Sequence, residues 1–341
     1  MSSQNHGPSP KLFLDTIQAY ERTAALKAAL DLDLFTTIGT SQFTARELAT
    51  RCETSERGMR IFCDYLVASG SLLKDEHAYA LTADSDTFLN RHSPAYLGVV
   101  AGFLLSPNYA DSFKDVAAAL RKGGTILSQE GTLAPEHPIW VDFARSMMPL
   151  MALPAQLLVK HIDPDAKAAL KVLEIAAGHG IFGIMLATHN PHANVVALDW
   201  PNVLEVATAN AKAAGISERY RTIAGSAFDV EYGQGYDLIL LPNFLHHFDL
   251  PTCEQLLQRV YTALADGGRV VTVDLILNDD HVSPPDAAER NLDMLVTTPS
   301  GEIYTFADFE EMFRHTGFGR SELFPLPPSI FSAIVSYKQG L

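Results

Sequence analysis

The stretch that most limits what this chain can become is VLEIAAGHGIFG, residues 172–183. An apolar run of strand length, VLEIAA, meets a glycine turn and continues as GHGIFGIMLATHN, which reads as a helix. Gly178 and Gly180 let the backbone come close to a ligand at that turn. A second apolar run, NVVALDW, brings Asp199 to a strand end 19 residues after Gly180. A carboxylate there suits a two-pronged hold on ribose hydroxyls. The alternation continues through the helix PNVLEVATANAKAAG and the strands YRTIAG, DLILLPN, GRVVTVDLIL and SAIVSYK, with helices between them. Strands that are apolar on both faces are covered on both faces. The expected fold class is therefore α/β, a Rossmann-like domain with a mostly parallel sheet between helical layers.

The first hundred residues follow a different pattern. Phe13 to Phe35 carry Ala and Leu at helical spacing and read as helix. Thr44 stands three positions before Glu47, a capping box that opens another helix. Ser55 opens a third, with Ile61, Phe62, Tyr65 and Leu66 on one face and Gly70 as its stop. Leu72-Leu73, a turn at Lys74 to His77, and Tyr79 to Leu81 make a short hairpin. Helices followed by a hairpin are the order of a winged helix. Arg57 and Arg60 are outweighed there by Glu53, Glu56 and Asp64, and the whole chain holds 25 basic against 40 acidic residues, a net charge of −15. Such a surface repels phosphate backbones, which argues against nucleic acid as the partner and against a DNA-binding regulator. The unit is expected to bury its apolar first helix against a second subunit.

Cys52, Cys63 and Cys253 lack the spacing of a disulfide framework or a metal cluster, so no metal is expected and a reducing compartment, the cytoplasm, fits. The opening MSSQNHGPSP lacks the parts of a secretory signal, and no apolar run is long enough to span a bilayer, so no membrane partner is expected. From about Ser106 to Ile162 the chain reads as helical pieces separated at Pro135, Pro138, Pro149 and Pro154. Met147, Met148 and Met151 cluster there with Trp140 and Phe143, either as helix core or as a pliable apolar wall for a small ligand. The organisation expected is a winged unit over 1–105, a helical linker over 106–165 and the Rossmann-like domain over 166–341.

GHGIFG also offers dinucleotide spacing through Gly183, so spacing alone leaves a nicotinamide cofactor open. Glu174, at the strand end, would repel a pyrophosphate but suits a ligand that carries an ammonium group, as the methionine part of S-adenosylmethionine does.

A run of further motifs carries a resemblance. ALKAALDLDLF, FTARELATRCETSERGMRIFCDYLVASGSLL and YALT are followed by VLEIAAGHGIFG, ALDWPNVL, AGSAF, NFLHHFD, LADGGRVVTVD and TPSGEIYTFADFEEMFRHTGF. Over nearly its whole length the chain resembles the S-adenosylmethionine-dependent small-molecule O-methyltransferases of plants and bacteria, among them caffeate, hydroxyindole and hydroxyneurosporene O-methyltransferases. The resemblance implies a winged-helix dimerisation domain, a homodimer and a small-molecule acceptor. It implies that Glu174, Ala176, Gly178 and Gly180 line the methionine end of the cofactor, with Asp199 on the ribose and Trp200 against the adenine. Ser226, Ala227 and Phe228 would stand at the adenine edge and Asn243 near the methionine moiety. His246 matches the family's general base and Asp274 one of its carboxylates. Phe143, Met147, His247, Met294 and Thr298 would form the acceptor wall, suited to an aromatic or polyketide-like compound.

The chain departs from the family pattern in places. Ser226 replaces a common Asp, Ala176 and Ala177 replace common Gly, and His247 and Phe248 stand where Asp and Trp are frequent. A second family carboxylate falls on Ile303, with Glu302 one position off. Transfer to a hydroxyl requires a positioned base to take its proton. Transfer to nitrogen or carbon, or a cyclisation that keeps the cofactor without transferring methyl, stays open.

Overall fold

The computed structural model describes residues 8–339, and the chain divides into two units, the first ending at Ala101. In the first unit, α1 (Lys11–Ile17), α2 (Ala19–Asp31) and α3 (Leu34–Ile38) replace the single helix expected over Phe13 to Phe35. The chain breaks at Gln18 and again at Asp33, which adopts a left-handed φ of 50°. The two-residue strand β1 (Phe43–Thr44) leads into α4 (Ala45–Arg51), where the Thr44 and Glu47 capping box forms on both sides. Helix α5 (Glu56–Ala68) starts at a Ser55 cap. The hairpin β2 (Leu72–Asp75) and β3 (Ala78–Leu81) follows, and β1 joins it as a third strand in the order β1-β3-β2. Leu34, Phe35, Leu48, Met59, Leu66 and Tyr79 fill this unit's core.

The second unit contains α7 (Val116–Lys122), after α6 (Ala83–Phe88) of the first, and then α8 (Ile139–Ser146) and α9 (Met148–Ile162). Pro154 lies inside α9 rather than ending it. Its ring is buried among Met151, Ala155 and Leu158, while Leu150, whose carbonyl loses a donor, is exposed to water. Pro149 takes the first turn of the same helix, where a missing N–H costs nothing.

The sheet is built from β4 (Leu170–Ile175), β5 (Ala193–Asp199), β6 (Tyr220–Ala224), β7 (Tyr236–Pro242), β8 (Leu264–Asp274), β9 (Phe318–Pro325) and β10 (Ser332–Lys338). Their order is β6-β5-β4-β7-β8-β10-β9, parallel from β6 to β8 and antiparallel at β10 and β9. Alternate residues point to opposite faces. Val172, Val195, Leu238, Leu240 and Val271 pack on one side with α9, α10 (Ile181–His189) and α11 (Pro201–Ala213). Leu173, Ile175, Leu198, Ile239 and Val270 pack on the other with α12 (Leu250–Ala263) and α14 (Phe306–His315). Helix α13 (Pro285–Thr297) lies between them in sequence. The strand order reverses between β4 and β7, and crevices at the carboxyl edge of such a switch point are where doubly wound folds bind ligands.

Candidate active site

The turn after β4 is left-handed at Ala176, Gly178 and Gly180, with φ of 53°, 58° and 74°. Glycine adopts this freely; Ala176 does so at a cost of about 1 kcal/mol, consistent with the glycine common at this place in the resembled family. At the end of β5, Asp199 accepts from the N–H of Gly178 at 2.8 Å and from the N–H of Trp200 at 2.7 Å. Its carboxylate thereby ties the two strand-end loops together, and each oxygen keeps a lone pair for a further donor. Burial lifts its pKa to about 6.

Glu174 is fully buried within the layer formed by β4 and α10. Its oxygens lie beside the N–H groups of Phe182 and Gly183 at the start of α10 without completing a hydrogen bond. Burial raises its pKa to about 8.

On the other side of the switch point, β7 ends at Pro242 and Asn243 turns left-handed, its N–H donating to Val273 at 2.8 Å. The short turn Leu245–His247 follows. There His246 Nδ1 lies 2.7 Å from Asp274 Oδ1, at the end of β8. A carboxylate only accepts, so Nδ1 carries a hydrogen, and in the neutral imidazole that leaves the lone pair on Nε2. The N–H of Leu275 donates to the same Asp274 oxygen at 2.8 Å, and the strand ends there, three residues short of the end of the run GRVVTVDLIL. His247 is held uncharged, its pKa pushed well down by burial, beside His246 at 4.3 Å between ring centres.

The other residues singled out in the sequence fall around these two loops. Trp200 precedes α11 as its cap residue. Ser226, Ala227 and Phe228 follow β6, where Ser226 Oγ accepts from the N–H of Phe228 at 3.1 Å. Phe143 lies over Gly178 and stacks on His179, ring centres 5.8 Å apart. Met147 and Met294 are buried. Thr298 is fully buried; its hydroxyl donates to the Met294 carbonyl at 2.7 Å and accepts from the Gly301 N–H at 2.8 Å, which holds its own loop in shape. Ile303 is buried with Leu275, Leu277 and Met294, while Glu302 is exposed, so the second carboxylate does not reach His246.

Trp140, read in the sequence as helix core or ligand wall, meets His247 edge-on at 5.1 Å. Two further neighbours carried no assignment in the sequence: His179 stacks under Phe143, and the Tyr220 hydroxyl lies beneath Gly180. His179 sits inside the glycine motif and could have been found there. Tyr220 comes in only through packing.

Comparison with known proteins decides the family. An O-methyltransferase domain model matches residues 134–319, and an O-methyltransferase dimerisation domain model matches residues 14–91. The chain belongs to the O-methyltransferase family. A Nostoc punctiforme protein, described as a candidate O-methyltransferase, is 53% identical, with a TM-score of 0.94 over 97% of this chain and 100% of its own. A Streptomyces sahachiroi relative, 3-hydroxy-5-methyl-1-naphthoate 3-O-methyltransferase, is 26% identical over 90% of this chain and 89% of its own. Tetracenomycin polyketide synthesis 8-O-methyl transferase of Streptomyces glaucescens is 26% identical over 93% of this chain and 94% of its own. The protein is thus a methyltransferase. Among the described residues no helix is long and apolar enough to cross a membrane.

Proposed function

We propose that this methyltransferase O-methylates a small aromatic or polyketide-like compound and that His246 is its general base. The observation that carries the reading is the His246–Asp274 pair, 2.7 Å apart at the carboxyl edge of the sheet. Asp274 fixes the ring and its tautomer, and His246 Nε2 takes the acceptor's proton. The wall of Phe143, Met147 and Met294, with Trp140 against His247, suits a flat apolar acceptor. The two Streptomyces relatives, named for a naphthoate and a polyketide pathway, support the same class. The test is formation of S-adenosylhomocysteine with a panel of hydroxylated aromatic compounds. Ile303 favours one second reading, transfer to nitrogen or carbon or cyclisation without transfer; the product's mass tells transfer from its absence, and the position of the new methyl by NMR tells oxygen from nitrogen or carbon.

The methyl donor is S-adenosylmethionine, which supplies an electrophilic methyl group on a positively charged sulfur. The residues present fit it: Asp199 is an acidic strand end with spare lone pairs, and Gly178 and Gly180 leave the backbone approachable. Glu174, a buried acid with no partner, suits the cationic methionine end. Ala176 and Asn243 bound that end, and Trp200, Ser226, Ala227 and Phe228 the adenine. Asp199→Ala is expected to weaken donor binding at least tenfold, about 1.4 kcal/mol. Unchanged affinity by calorimetry would discard the ribose role.

The reading extends to a homodimer formed through residues 10–105. Leu12, Phe13, Ile17 and Tyr20 on the first two helices are exposed in the single chain. Large exposed apolar side chains close together in the chain call for a cover, and the matched dimerisation domain points to a second copy. Light scattering at micromolar concentration should give twice the chain mass; a monomer would count against it.

A further inference from the structure

The turn that carries His246 is held from outside by residues 297–305. Gly301 lies against the backbone of that turn. A side-chain carbon there would stand 2.5 Å from the His246 carbonyl oxygen and 2.8 Å from the His247 carbonyl carbon. The φ of Gly301 is not left-handed, so close approach, and not backbone freedom, calls for glycine here. Three residues on, the buried Tyr304 donates its hydroxyl hydrogen to the Phe248 carbonyl at 2.6 Å. The turn is thus gripped at His246–His247 and again where it ends.

The gripping segment is itself pinned. The Gly301 N–H is fixed on the Thr298 hydroxyl, and the N–H of Ile303 donates to Asn291 Oδ1 at 3.0 Å. The N–H of Thr125 donates to the Thr298 carbonyl at 2.9 Å, and the Thr132 hydroxyl to the Thr297 carbonyl at 3.1 Å. Gly124 and Gly131 come so close that a side-chain carbon on either would overlap the carbonyl oxygens of Pro299 and Thr297. With little room for the segment to yield, the strain of a bulkier residue at position 301 falls on the His246 turn. Relief to ordinary van der Waals separation takes roughly 1 Å. The His246 ring meets Asp274 through one hydrogen bond of 2.7 Å, and a shift of that size stretches the bond or re-aims Nε2.

We propose that residues 297–305 form a clasp which, through Gly301 and Tyr304, holds the His246 ring in register with Asp274. Gly301 is a positioning residue: it touches the turn and acts through the ring it carries. The expected effect on rate rests on the base reading above; the effect on the ring does not.

The test joins turnover to the state of the ring, with 1-naphthol as acceptor probe and S-adenosylmethionine as donor. Gly301→Ala should lower kcat near pH 7 by about 10²-fold and leave the KM for the donor unchanged. The loss should shrink as rising pH ionises the naphthol, which then needs no base. Tyr304→Phe should show the same pattern to a smaller degree. Nitrogen NMR of the histidine rings, with His246 assigned by its loss in His246→Ala, reads the tautomer. The wild-type ring should carry its hydrogen on Nδ1, and the Gly301→Ala ring should be a mixture of the two tautomers. If Gly301→Ala fails to fold, Tyr304→Phe decides by the same measurements; if the wild type does not methylate 1-naphthol, the tautomer decides alone. An unchanged tautomer in the folded variant, or a rate loss equal at every pH, would overturn the proposal. If His246→Ala keeps full turnover while Gly301→Ala still shifts the tautomer, the base reading fails and the clasp stands.

Discussion

Replacing His246 with alanine is expected to lower turnover on a neutral phenol by about 10²- to 10⁴-fold, the usual contribution of a positioned base. Donor affinity should change little, because the imidazole stands on the β7–β8 side of the switch point and Asp199 on the β5 side. The substitution also leaves Asp274, 1% exposed, with the Leu275 N–H as its remaining partner, so a thermal melt must accompany the kinetics. An acceptor whose hydroxyl is already ionised needs no base, and with it the loss should shrink sharply. If turnover on a neutral phenol stays within about twofold of wild type, His246 only orients the acceptor.

Gly183→Ala sets two effects against each other. Inside a helix alanine is favoured over glycine by about 1 kcal/mol, so propensity alone predicts a more stable protein. The added carbon would fall on Glu174 Oε2 and 2.8 Å from Val195 Cγ1, both buried and neither free to leave. Overpacking of this kind costs about 1–3 kcal/mol, and sterics should win. The expected result is a lower Tm, partly restored in the double variant with Glu174→Ala, which removes the obstructing carboxyl. A single variant at least as stable as the parent would refute this account of the glycine.

That glycine also shows how far sequence reasoning reaches. GHGIFG matches a dinucleotide fingerprint in spacing, and its third glycine serves close helix–strand packing, here against an acid that the same motif supplies. Strands β4, β5 and β7 and the second half of β8 were legible because they are largely buried and mostly apolar. Strand β9 was not, because it is an edge strand whose residues are mostly solvated and include Arg320, Glu322 and Pro325. The two breaks in the first helical stretch had no glycine or proline to announce them. In the candidate site, Asp199 was legible as an acidic strand end and His246 and Asp274 through the family resemblance; each closes or follows a strand, and parallel strands bring such ends to one edge. Tyr220 begins a strand rather than ending one. Its hydroxyl reaches the glycine turn through tertiary packing alone, which no local pattern encodes.

The reversal of strand order between β4 and β7 has a consequence for how such enzymes diversify. Apart from Asn243, the groups proposed to grip the donor hang on one half of the sheet, and the pair proposed to handle the proton hangs on the other. The proposed acceptor wall comes from neither half but from α8, the residue following it and α13, through Phe143, Met147 and Met294. Selection, or a designer, can therefore re-cut that wall for a new scaffold while leaving both chemical halves as inherited.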